Sequence, residues 1–326
     1  MCANQEIEMM SREAMTQLQM SRLKKTVRWA YGKSTFYHNK LTEAGVTGNS
    51  IVSLEDIRKL PFTTQADIIK ASPFEFLTIP LSGVLRLQMQ ERPEEIIKAY
   101  TNGDIARNIE MMSRVLSAAG IVQGSIVGIL EEYSNETAMD VQYALELLGA
   151  TVIPLGLNFN RAVKMFDMFG IDTIVSDPQN ILQLVIRTQA LGKDIMEYPL
   201  SRVFCLNNSI QNPMQKHIGE RISASVYNLY VSRELGYTGV LFQCGQKHGF
   251  HVQEDCFYPE IIEFGGTEPV KAASQMGELV LTTIAAEAMP ILRYRTGQAV
   301  NLLPEPCACG RELIRIATPF DCVPKL

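Results

Sequence analysis

Apolar and polar residues change their spacing along the chain. Met20, Leu23, Val27 and Tyr31 recur at helical intervals with Trp29 beside them, which predicts a long helix near the N-terminus. SLEDIRKLPF reads as a short capped helix, because Asp56 follows Ser53 by three residues and Pro61 stops the turn. Residues 84–101 hold two apolar, strand-like segments, VLRLQMQ and EIIKAYT, on either side of ERPE.

From Asn102 the pattern alternates. Residues 104–119 are an amphipathic helix, and SIVGIL is a strand. NETAMDVQYALELLG is a helix with Ser134 or Asn135 as its cap and Gly149 at its end. ATVIPLG, DTIVSD, SRVFCLN and SASVYNLY read as strands. NRAVKMFDMFG, PQNILQLVIRTQALG and NPMQKHIGERI read as the helices between them, the second with Pro178 near its first turn. This alternation predicts an α/β protein with a largely parallel sheet and helices on its faces. After about Leu235 the helices stop. GVLFQC, GFHVQED, CFYPEIIE, GELVLTTI, PILRYRT and AVNLLPE are short strands that predict an antiparallel sheet or a small barrel, and ELIRI is the last apolar segment. Three regions are therefore expected: a helical segment over 1–100 leading into the sheet, an α/β subdomain over 101–234, and an antiparallel β-subdomain over 235–326.

Composition narrows the function classes. The chain has 326 residues, 46% hydrophobic and 20% charged, which is ordinary for a soluble globular protein. A net charge of −5 with scattered lysines and arginines argues against a nucleic-acid partner. No apolar run reaches the length of a membrane span, and the polar N-terminus MCANQEIEMMSREAM is not a secretory signal, so a cytoplasmic protein is expected. Seven cysteines with no small disulfide framework point to reduced thiols. A disulfide across the two positions from Cys307 to Cys309 would be badly strained, whereas two thiolates can grip one metal ion.

RLKKTVRWAYGKSTFYHNKLTEAGV, SLEDIRKLPFTTQADI, LLGATVIPLG, GFHVQEDCFYPEII, GELVLTTIAAEAMPILRYRTG and LLPEPCACGRELIRI together resemble the phenylacetate–CoA ligase family of adenylate-forming enzymes. The resemblance runs in order from about Glu6 to Ile316. It implies the family's large N-terminal domain, with mixed and parallel sheets, flanking helices and an antiparallel β-subdomain. It also implies an acid–CoA ligase chemistry: ATP and an aryl or acyl carboxylate form an acyl adenylate, pyrophosphate leaves, and the acyl group passes to coenzyme A. The family's mobile C-terminal domain, with its catalytic lysine, is expected to be absent, since the chain stops at Leu326 soon after ELIRI.

Against that pattern the nucleotide motifs depart. The family's Gly/Ser/Thr-rich phosphate loop falls at QMQERPEEIIK, which has no Gly, Ser or Thr and carries Glu91, Glu94 and Glu95. Carboxylates repel a triphosphate, and without glycine the backbone cannot crowd its N–H groups around one. The aromatic–glycine turn before the family's magnesium-binding glutamate reads LYVSRELG, so Tyr230 and Glu234 fit while Val231 replaces the glycine. The YRTGD-like stretch reads YRTGQ. Gln298 loses the charge of the aspartate that takes the ribose hydroxyls, and Arg295 is either part of that site or structural. Tyr230, Glu234, Arg295 and Gln298 are thus the candidate, vestigial nucleotide site, with Glu234 either a magnesium ligand or a solvated carboxylate.

The resemblance also places GVLFQC and GFHV near the C-A-C-G turn. Cys244, His251, Cys307 and Cys309 then make a Cys₃His set for a structural zinc, with His248 as the alternative imidazole and Cys256 nearby in sequence. The function expected on these grounds is an adenylation-deficient relative with a binding or regulatory role, taking an unknown protein partner or a small carboxylic acid. The alternative is an active ATP-, magnesium- and CoA-dependent ligase whose C-terminal domain is missing or supplied in trans. A homodimer through the family's usual surface is carried as an open expectation, and neither nucleic acid nor membrane is expected as a partner.

Overall fold

The computed structural model describes residues 2–90, 95–133, 136–207 and 214–319. It opens with helices α1 (Gln5–Glu8), α2 (Arg12–Lys33) and α3 (Thr35–Glu43). Ser34 serves both of the longer helices. Its N–H closes α2 on the Ala30 carbonyl at 3.0 Å, and its hydroxyl accepts from the Tyr37 N–H to start α3. The buried stripe of α2 is Met15, Gln19, Leu23, Thr26, Val27 and Ala30, whereas Met20 and Tyr31 are only half-buried. Apolarity alone missed this rotation because two polar residues enter the buried face with their hydrogen bonds made. Gln19 donates to the Glu254 carbonyl at 3.0 Å, and Thr26 donates to that of Ile284 at 3.1 Å.

The segment at Ser53 is one short 3₁₀ turn, Leu54–Lys59, with Asp56 accepting from the Ser53 N–H at 2.7 Å. Helix α4 (Gln65–Lys70) follows, capped reciprocally by Thr64 and Asp67. Strands β1 (Arg86–Gln90) and β2 (Ile96–Tyr100) pair antiparallel, with Gln90 opposite Ile96. The tip between them, including Glu91 and Glu94, lies outside the described residues, as do Ser134 and Asn135.

Helix α5 (Asn102–Ala118) leads into the alternating region of β3 (Ile126–Ile129), α6 (Glu136–Leu147), β4 (Thr151–Pro154), α7 (Phe159–Phe169), β5 (Thr173–Ser176), α8 (Pro178–Ala190), β6 (Arg202–Asn207), α9 (Met214–Ile222) and β7 (Ser225–Ser232). The strands run parallel in the order β4-β3-β5-β6-β7, with Val127 opposite Thr173, Ile174 opposite Val203 and Phe204 opposite Tyr227. Leu155, Val163, Phe166, Ile174, Ile181, Leu184 and Val203 are buried in its core. Gly170 ends α7 in the left-handed region at φ 59°, where a side chain would be strained.

The last region holds β8 (Tyr237–Phe242), β9 (Phe250–Val252), β10 (Phe257–Ile262), β11 (Gly277–Thr283), β12 (Tyr294–Leu303) and β13 (Arg315–Ala317). Of the two architectures left open, an antiparallel sheet forms, in the order β10-β11-β12-β13-β9. PILRYRT and AVNLLPE are not separate strands but contribute to one, β12. A register shift opposite Glu278–Val280 absorbs the turn at Gly297, whose φ is +68°.

The chain forms two compact units. One comprises Met1–Asn4, Asn108–Val231 and Leu241–His248 and contains the parallel sheet. The other comprises Gln5–Arg107, Ser232–Val240 and Gly249–Leu326 and contains the N-terminal helices, the β1–β2 hairpin and the antiparallel sheet. The fold class is the α/β class expected, with parallel and antiparallel sheets and flanking helices. Among the described residues no helix is long and apolar enough to cross a membrane.

Candidate functional site

The β8–β9 connection turns tightly through Lys247 (φ 52°) and Gly249 (φ 74°), with the Lys247 N–H donating to the Cys244 carbonyl at 2.9 Å. A Cβ on Gly249 would stand 2.5 Å from Leu303 Cδ1 and 2.7 Å from the Ile316 carbonyl oxygen, so glycine is required there. His251 follows on β9, opposite Arg315 of β13. Cys307 and Cys309 sit in the turn between β12 and β13, closed by the Gly310 N–H on the Cys307 carbonyl at 2.9 Å. The local geometry brings Cys244, His251, Cys307 and Cys309 together, with their donor atoms all within 4.8 Å of one another. His251 Nε2 lies 3.4 Å from Cys309 Sγ. Around a tetrahedral zinc, ligand atoms at about 2.0–2.3 Å from the metal stand roughly 3.5–3.8 Å apart. Three sulfurs and one imidazole nitrogen at these spacings fit that ion with a small contraction. None of the six described cysteines forms a disulfide, and His248 and Cys256 are not in the set. The wholly buried pair of Arg311 and Glu8 braces the turn, whose next residue donates from the Glu312 N–H to the Glu8 carbonyl at 3.0 Å.

Glu234 lies in the turn after β7, half-buried, and accepts from Gln65 Nε2 at 3.2 Å. Its remaining carboxylate capacity suits a cation. Its main-chain carbonyl is engaged by Lys98, whose Nζ donates to it at 2.9 Å. Lys98 comes from the middle of β2 and is 3% exposed. Burial pulls its ammonium down to about 8, partly opposed by the charges of Glu234 and Asp104. Gly236, at φ 76°, makes room for it: a Cβ there would meet Lys98 Cε at 2.7 Å. Asp104 is occupied elsewhere, accepting from the N–H groups of Glu287 at 2.8 Å and Ala288 at 3.0 Å.

Comparison with known proteins decides the lineage. No family model matches the chain. A phenylacetate–coenzyme A ligase of Thermus thermophilus is 30% identical over 316 residues, which is 95% of this chain and 71% of the relative. The phenylacetate–coenzyme A ligase of Escherichia coli is 31% identical over 321 residues, or 97% of this chain and 73% of the relative. The chain belongs to the phenylacetate–CoA ligase family. Among solved structures, an open conformation of 2-hydroxyisobutyryl-CoA ligase, in complex with 2-HIB-AMP and CoA, superposes with a TM-score of 0.87 at 18% identity. It covers 95% of this chain and 75% of that one. That likeness establishes the adenylate-forming ligase fold. These relationships favour the ligase alternative over the adenylation-deficient reading.

Within this family the remaining nucleotide-motif residues are placed as follows. Tyr230 is buried on β7, opposite Asn207. Arg295 makes structural contacts: it donates to Glu278 at 2.9 and 2.5 Å and to the Gly266 carbonyl at 3.1 Å, and lies 5.0 Å from the Phe62 ring centroid. Gln298 is half-buried beside Gly297. Its N–H donates to Thr296 Oγ1 at 3.1 Å and its Nε2 to the Thr296 carbonyl at 3.5 Å. Two residues were not singled out by the sequence. Arg293, at φ 45°, is buried and grips Glu260 through two bonds of 3.0 and 2.9 Å, while also donating to the Leu60 carbonyl at 2.8 Å. Burial pushes the Glu260 carboxyl up, and Arg293 opposes that shift. Lys98 is the other, and its signal was a lone cation inside the apolar strand IIKAY.

Proposed function

We propose that this chain carries the acid-activating part of an ATP-dependent acid–CoA ligase. In this reading a carboxylate oxygen of the acid attacks the α-phosphorus of ATP and the bond to pyrophosphate breaks. The coenzyme A thiol then attacks the acyl carbonyl and displaces AMP. Glu234 is the residue that would hold magnesium, and Gln298 would hydrogen-bond the ribose hydroxyls as a neutral acceptor and donor. The observation that carries the reading is the family relationship, about 30% identity across nearly the whole chain. Exchange of labelled pyrophosphate into ATP, driven by phenylacetate or other aryl and acyl acids, tests it. Acid-dependent exchange supports the ligase, and its absence with every acid contradicts it.

A second reading, an adenylation-deficient protein that binds a partner or a small ligand, is favoured by one feature. The family's phosphate loop falls on the β1–β2 connection, and the lysine that follows it here is committed to the Glu234 carbonyl. Failure of the exchange together with absence of Mg·ATP binding would favour this reading.

The Cys₃His cluster is proposed to hold one zinc. With three thiolates and an imidazole the coordination shell is closed, so the ion is structural and ties the β8–β9 connection to the Cys307–Cys309 turn. Metal analysis of the purified protein should give about one zinc per chain.

A further inference from the structure

Lys98 and Tyr100 stand two positions apart on β2, so their side chains leave the same face of the strand. Both end on the backbone of the turn after β7. Lys98 Nζ donates to the Glu234 carbonyl at 2.9 Å, and the Tyr100 hydroxyl donates to the Gly236 carbonyl at 2.7 Å. The turn itself is closed by the Gly236 N–H on the Ser232 carbonyl at 2.9 Å. No side chain fits between the strand and the turn: a Cβ on Gly236 would stand 2.7 Å from Lys98 Cε and 2.9 Å from the Tyr100 hydroxyl oxygen. Tyr100 is held in turn by edge-to-face packing on Tyr237, with ring centroids 6.4 Å apart. From another side, Gln65 Nε2 meets the Glu234 carboxylate at 3.2 Å.

An ammonium is a costly way to fill this place. Lys98 is 3% exposed and gives one hydrogen bond, to a neutral carbonyl. Among the described residues no carboxylate stands within the 4.0 Å of an ion pair. An apolar side chain of similar length would fill the volume without desolvating a charge. Stability therefore does not explain the lysine. What the ammonium supplies is a charge-assisted bond, roughly twice as strong as a neutral one, to the main chain of the residue whose carboxylate is proposed to take magnesium. A carboxylate on a loop holds a cation well only if the backbone beneath it is fixed to within about 0.5 Å.

We propose that Lys98 is a positioning residue for the metal–nucleotide site: together with Tyr100 it clamps the main chain at Glu234 and Gly236, and so fixes the carboxylate on which magnesium is held. Its ammonium acts on the turn and not on a phosphate. This role rests on the ligase reading and adds to it a support buried beneath the site.

The test is a double-mutant cycle of Lys98→Met and Glu234→Gln on the whole, zinc-replete chain, read by titration calorimetry with Mg·ATP and with ATP freed of divalent metal. Lys98→Met should weaken Mg·ATP binding about tenfold and leave metal-free ATP unchanged to within about twofold. In the Glu234→Gln background it should cost nothing further, because it acts through that carboxylate. Tyr100→Phe should give the same pattern at about threefold. Unchanged Mg·ATP binding in Lys98→Met, an equal loss with metal-free ATP, or additive losses in the cycle overturns the proposal. An equal loss with metal-free ATP is the result that a direct phosphate contact or a general structural role would give. If Lys98→Met does not fold, Tyr100→Phe in the same cycle decides. Absence of Mg·ATP binding by the wild type overturns the ligase reading and this role together, whereas wild-type binding that the variants leave intact overturns this role alone.

Discussion

The turn that carries Cys307 and Cys309 and the turn that carries Glu234 make an instructive pair. Around the cysteines the geometry is self-consistent: a glycine that nothing else can replace, a closed turn, a buried ion pair behind it, and four donor atoms within 4.8 Å of one another. Around Glu234 the contacts are spread over several elements. Lys98 occupies the main-chain carbonyl, Gln65 takes one carboxylate oxygen, and Arg295 and Gln298 turn to neighbours in their own sheet. A metal centre tolerates little change, because each lost donor removes a coordination bond. A nucleotide site built from many weaker contacts can be altered one contact at a time.

Four experiments sharpen or break that contrast. The largest effect belongs to the metal. Chelation, or Cys309→Ser, should reduce bound zinc from about one per chain to near none and destabilise the protein by about 5 kcal/mol or more, read by metal analysis and thermal melting. Next comes Arg293→Met, which strands Glu260 in the core and should cost about 3–5 kcal/mol in denaturant titration. Lys98 gives an effect of opposite sign. Its ammonium titrates at about 8 when folded and near 10.5 when unfolded. Between those values the unfolded chain binds more protons, so stability should rise with pH across that window, by up to about 3 kcal/mol from this group. Lys98→Met should remove the rise and be more stable than wild type near neutrality. The smallest effect is Gln298→Asp, which restores a charged acceptor for ribose hydroxyls and should tighten Mg·ATP binding by about tenfold in titration calorimetry.

Much of this was legible in the sequence. The βαβα alternation after Asn102 carried the parallel sheet, because buried strands and amphipathic helices have distinct periods. The four zinc-binding candidates were legible because cysteine and histidine advertise their chemistry and the resemblance aligned the strands that bear them. What escaped notice were polar residues inside the core. Gln19 and Thr26 on α2 break the apolar stripe, yet their bonds to the Glu254 and Ile284 carbonyls span well over 200 residues of chain, and local reading has no access to such partners. Lys98 and Arg293 were missed for the same reason. A buried cation is specified by the carbonyls and carboxylates that meet it, and these come from distant segments. Arg295 fell between the two readings offered for it. Its contacts with Glu278, Gly266 and Phe62 account for its place on β12 without a nucleotide.

The claim that this family member remains a ligase is tested most directly by calorimetric titration of the zinc-replete chain with Mg·ATP. Saturable binding that weakens when Glu234 is changed to Ala is expected. Absence of binding heat at millimolar nucleotide would contradict it and leave the adenylation-deficient reading in its place.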